Sequence, residues 1–113
     1  MVAVVDGEAA VERVAALVPG IRVTADVSAL AAADIVVEAI PERLARKRSV
    51  LRLADRVCPA TTVFATTTTA LPVSEVAAAT SHPSHVAGFH MVPPTWHSRV
   101  VELVPSAVTT SGR

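Results

Sequence analysis

Cysteine occurs once in these 113 residues, at Cys58, so no internal disulfide can form, and a lone thiol on a helix reads as a small packed hydrophobe. Charge of one sign is also lacking, because ten Lys and Arg balance ten Asp and Glu. Affinity for nucleic acid rests largely on a basic surplus along one face, so no nucleic-acid partner is expected. No apolar run approaches the ~20 residues that a bilayer requires, and no membrane association is expected. Met1 to Val5 leads straight into Asp6, Gly7 and Glu8 without the basic, apolar and cleavage regions of a secretory signal, which points to the cytoplasm. His82 and His85 have the spacing of a ligand pair, but no further Cys or Asp completes a metal set, and no metal is expected. What the chain has is 51% apolar residues, mostly Ala and Val, against 18% charged, within the length of one globular domain.

Short β-branched runs alternate with helical patterns. Val2 to Val5 reads as a strand closed by the turn dipeptide Asp6-Gly7, and Val11, Val14, Leu17 and Val18 give Glu8 to Val18 a helical period ended by Pro19-Gly20. Ile21 to Thr24 reads as a strand, and Asp26 to Ala33 as about two turns of helix capped by Asp26 or Ser28. Asp34 to Glu38 is a strand, and Pro41 suits the first turn of the helix that follows. Leu44, Leu51, Ala54 and Cys58, widened by Val50 and Val57, form that helix's apolar stripe. Strands at Thr62 to Ala65, His85 to His90 and Val100 to Val104, with a short helix at Val73 to Ala79, complete the series. The pattern predicts an α/β fold with a Rossmann-like, mostly parallel sheet buried between helices on both faces.

Ligands of such sheets bind beyond the carboxyl ends of the strands, which selects Asp6, Glu38 with Glu42, Thr66 to Thr69, and His90. An acid at the end of a second strand accepts hydrogen bonds from the adenosine ribose hydroxyls of NAD, although Asp-Gly is equally ordinary turn chemistry. His90 and Glu102 form a candidate dyad in which the carboxylate holds one imidazole nitrogen and leaves the other for proton transfer; a packed histidine and a surface glutamate are the plainer alternative. The six basic residues of the 42–57 helix, Lys47 among them, read as its wet face, with Lys47 the one early enough to approach a bound anion.

Taken in order, the segments Ala33-Asp-Ile-Val-Val-Glu-Ala-Ile-Pro-Glu-Arg-Leu-Ala-Arg-Lys47, Thr62-Val-Phe-Ala-Thr-Thr-Thr-Thr-Ala-Leu71, Val86-Ala-Gly-Phe-His90 and Val100-Val-Glu-Leu-Val104 resemble the NAD-binding domain of the 3-hydroxyacyl-CoA dehydrogenases. The resemblance covers nearly the whole chain. It implies an NAD-dependent oxidoreductase of fatty-acid metabolism that oxidises a 3-hydroxyacyl thioester to the 3-oxoacyl thioester. It further implies His90 as general base, Glu102 as its orienting partner, and Thr69 as the hydroxyl that binds the substrate oxygen and borders the cofactor. The same resemblance puts Asp6 at the ribose and Glu42 and Lys47 at NAD. Thr67 and Ala70 stand where the family has Asn and a second Ser, and Met91-Val-Pro-Pro94 replaces the usual Phe-Phe-Asn-Pro. With the unusual Thr95 to Ser98 loop, these departures lead us to expect slow or altered chemistry, and a hydroxyacyl group on a carrier protein is an alternative substrate.

The family's first strand and its Gly-x-Gly-x-x-Gly turn, which offers backbone N–H groups to the pyrophosphate, would precede Val2, and a helical domain would follow. The resemblance therefore implies a single, truncated NAD-binding domain over 1–113. Two open sheet edges are expected, and with them a homo-oligomer. The contrasting expectation is an inactive remnant or interaction module.

Overall fold

The computed structural model describes residues 1–94 and 97–108. Strand β1 (Val2–Val4) pairs in parallel with β2 (Arg22–Thr24), joined by helix α1 (Glu8–Leu17). Gly7 takes φ 87°, a left-handed conformation that lets the chain leave β1 and enter α1 at once. A second sheet has the order β3 (Ile35–Glu38), β4 (Val63–Thr66), β5 (Val86–Met91) and β6 (Val101–Pro105). Its first three strands are parallel, with α2 (Leu44–Val57) and α3 (Val73–Ala77) in the crossovers, and β6 returns antiparallel to β5.

The core lies where α2, β4, α3 and β5 meet: Leu51, Ala54, Phe64, Val76 and Val86 are its buried centre. Cys58 packs against it, donates its thiol to the Leu30 carbonyl at 3.4 Å, and has its pKa raised by desolvation. Gly88 makes the close packing of β5 possible. A Cβ there would stand 3.0 Å from the Val104 Cβ and 3.1 Å from a Val73 methyl, so β6 and α3 approach β5 over a missing side chain. Gly88→Val is expected to destabilise the chain by ~1–3 kcal/mol through overpacking, seen as a lower urea midpoint with an unchanged slope.

Several expectations change. The 26–33 helix shrinks to a single 3-10 turn, Val27–Leu30, N-capped by the Asp26 carboxylate, which accepts from Ser28 N–H at 2.9 Å; the N–H groups of Ala29, Ala31 and Ala33 each bond to the carbonyl three residues back. Full burial of the strands fails at β3, whose Ile35 and Val37 are 64% and 52% exposed, and at β6, exposed throughout. The sheet is divided in two: among the described residues β1 and β3 each have a neighbour on one side only, and an open cleft of about 590 Å³ lies between the starts of β1, β2 and β3. On α2 the buried stripe excludes Val50, because positions 44, 47, 51, 54 and 58 already follow the helical period and Val50 falls beside them.

Candidate active site

Parallel pairing brings the carboxyl ends of β3 and β4 level, with Glu38 opposite Thr66, and sets Gly88 opposite Thr66 on β5. The segment after β3, the turn after β4 and the end of β5 therefore form one rim. His90 lies two residues beyond Gly88, directly across the antiparallel ladder from Glu102. Cross-strand partners share a face, and the His90 Nδ1 comes within 3.6 Å of a Glu102 carboxylate oxygen. Both side chains are open to solvent, 45% and 64% exposed, so the imidazole Nε2 is free to meet a ligand.

Glu42 binds the neighbouring turn. Its carboxylate accepts from the Thr68 hydroxyl and, at 3.3 Å, from Thr69 N–H. The Thr68 hydroxyl in turn accepts from Leu71 N–H at 3.1 Å, and Thr67 N–H donates to the Glu38 carbonyl at 3.0 Å. Chiefly because of the Thr68 hydroxyl, with help from Thr69 N–H and the Lys47 charge, Glu42 titrates below its ordinary value of 4.5 in spite of some desolvation. A lowered carboxylate pKa stabilises the fold above the ordinary value and ceases to do so as pH falls through the lowered one. Loosening of the Thr68 to Leu71 turn is therefore expected only below pH 4.5, followed by the Thr69 amide resonance, and Glu42→Gln should abolish that acid transition.

Asp6 sits at the carboxyl end of β1, exposed, and its carboxylate has no hydrogen bond or ion pair among the described residues. An unengaged acid at a strand end suits the ribose hydroxyls of a dinucleotide. Thr69 is exposed on the rim. Lys47 differs from expectation: its ammonium is 1% exposed and bound to Glu38, so it presents no donor at the surface. The wet-face expectation fails at Lys47, because its ammonium pairs with the buried Glu38 carboxylate. The signal was its place in the apolar stripe of α2, between Leu44 and Leu51.

His82 and His85 stack with ring centroids 5.4 Å apart, and no metal-holding cluster occurs among the described residues. No helix among them is long and apolar enough to cross a membrane. Of the unusual loop, Thr95 and Trp96 lie outside the described residues.

An α/β layer with an acid at one strand end and a His–Glu pair at another has the form of a dinucleotide-dependent oxidoreductase domain. Residues 2–112 match the family model described as 3-hydroxyacyl-CoA dehydrogenase, NAD binding domain. A probable 3-hydroxybutyryl-CoA dehydrogenase of Bacillus subtilis is 40% identical over 78 residues, which is 69% of this chain and 27% of that protein. Among solved structures, 3-hydroxybutyryl-CoA dehydrogenase from Escherichia coli K12 matches with TM-score 0.76 and 35% identity over 80% of this chain and 19% of its own. M. tuberculosis FadB2 matches with TM-score 0.84 and 28% identity over 97% of this chain and 47% of its own. The chain thus spans under half the length of these relatives. It belongs to the 3-hydroxyacyl-CoA dehydrogenase family, an enzyme family, and is of the NAD-binding domain type, whose cofactor is NAD.

Proposed function

We propose that this chain provides the proton-transfer and NAD-binding groups for oxidation of a 3-hydroxyacyl thioester, carried on coenzyme A, to the 3-oxoacyl thioester. The observation that carries the reading is the His90–Glu102 pair at 3.6 Å on facing strands. His90 Nε2 removes the proton of the 3-hydroxyl while the hydrogen on the same carbon departs with its electron pair, leaving the carbonyl. Bound NAD supplies the hydride acceptor. Glu102, on the Nδ1 side, steadies the imidazolium that results. Thr69 donates its hydroxyl to the developing carbonyl oxygen and borders the nicotinamide, and the Glu42 clamp holds that turn in place. Asp6 accepts the ribose hydroxyls.

The test is reduction of NAD by the chain in the presence of 3-hydroxybutyryl-CoA, followed by absorbance of the reduced cofactor. Turnover that depends on the thioester supports the reading; NAD binding without turnover on any 3-hydroxyacyl-CoA or 3-hydroxyacyl-carrier-protein overturns it. A second reading, an interaction module that forms homo-oligomers, is favoured by the unpaired edges of β1 and β3 with Ile35 and Val37 exposed. It expects oligomers in size-exclusion chromatography and no turnover.

A further inference from the structure

Nine of the ten basic residues are arginines, and the one lysine, Lys47, is the only basic residue that is buried among the described residues. It takes an inward position on α2 that the helical period reserves for an apolar side chain. Its ammonium donates to Glu38 Oε1 at 2.8 Å and to the Ile40 carbonyl at 3.0 Å. Glu38 is also 1% exposed, and it spends its remaining capacity on the rim: Oε1 accepts Ile40 N–H at 2.7 Å and Oε2 accepts the Thr66 hydroxyl at 2.6 Å. The Thr66 hydroxyl then accepts from Thr68 N–H at 3.4 Å. One ion pair thereby ties the first turn of α2, the segment leading to Glu42, and the start of the turn that carries Thr69. A buried pair adds little stability over an apolar pair of equal volume, but it meets in one geometry only. The compact ammonium can reach a carboxylate and a carbonyl together in a space where a planar guanidinium would need a different set of partners.

We propose that Lys47 is a positioning residue: through Glu38 it sets the two strand-end segments that hold Glu42 and Thr69, and it serves the site in this way rather than by touching the dinucleotide. This rests on the reading of Glu42 and Thr69 as groups that face the ligand. Lys47→Met leaves the Glu38 carboxylate buried without a counter-ion. Adding Glu38→Gln removes that charge while keeping an oxygen to accept from Ile40 or Thr66.

The experiment compares parent, Lys47→Met and the double variant by amide NMR and by NAD titration. Lys47→Met is expected to shift the Thr67, Thr68 and Thr69 amides and weaken NAD binding. The double variant is expected to return those amides to their parent positions, with Kd within about threefold of the parent. Amides that Lys47→Met leaves unmoved overturn the proposal. So do restored amides with NAD binding still weaker by about tenfold or more, because a lysine that touches the ligand cannot be rescued from Glu38. Should the parent fail to bind NAD, the functional reading falls and the amides alone decide the positioning. Should Lys47→Met fail to fold, acetylation of the folded parent decides: reagent consumed at the Met1 amine alone, with or without NAD, supports the proposal, and Lys47 acetylated at the rate of a free amine overturns it.

Discussion

His90→Ala is expected to lower kcat for 3-hydroxyacyl-CoA oxidation by ~10²–10⁴ and to leave KM nearly unchanged, since a general base acts in the transition state and adds little to ground-state binding. The side chain is 45% exposed on β5 and outside the buried core, so the melting curve should stay close to the parent's. Loss of turnover without loss of stability is the signature that separates chemistry from folding. Glu102→Gln should lose less, because the amide keeps a hydrogen-bonding oxygen near Nδ1 and gives up only the charge that favours the imidazolium. Steady-state kinetics with thermal melts of both variants check this, and near-parental turnover in His90→Ala would remove His90 from the mechanism.

Lys47→Met is expected to give the largest loss of stability, ~3–5 kcal/mol, because it strands the Glu38 carboxylate at 1% exposure. For a domain of this size each kcal/mol moves Tm by ~4–8 °C, so the variant should melt more than ~12 °C below the parent. Glu38→Gln in the same chain should recover most of it. The non-additivity is the informative quantity: two substitutions that each remove half of one ion pair should together be milder than Lys47→Met alone. A single-variant loss below ~1 kcal/mol in urea melts would mean that water reaches Glu38 once the lysine is gone.

Much of this arrangement is legible in the amino-acid sequence. The β-branched runs became β1 to β5 within a residue or two, because short apolar segments bounded by Asp, Gly and Pro have few other uses. His90 and Glu102 could be named from segment order, but their contact depends on β5 and β6 being antiparallel in a register that places them opposite each other, and pairing register is a long-range property. Glu38 and Lys47 are harder, since charge on a helix with four arginines reads as solvated surface, and only its period shows that Lys47 turns inward. In the 26–33 segment alanine-rich sequence favours an α-helix locally, but the chain closes it with bonds three residues apart and the regular element is only Val27–Leu30.

The distribution of buried side chains divides the molecule into parts of unequal cohesion. No residue before Glu38 is buried, and the core cluster contains nothing from β1, α1 or β2. The α1 and β1–β2 unit is therefore a separate opening unit: its amides should exchange with solvent at a lower free energy than those of β4 and β5, without global unfolding. Asp6 belongs to the loose unit and His90 to the firm one. A dinucleotide held at both ends would join them, and part of its binding free energy would be expended in ordering the first unit. Its affinity would then understate the strength of its contacts, and protection of the β1 amides would report occupancy more sensitively than any signal from the core.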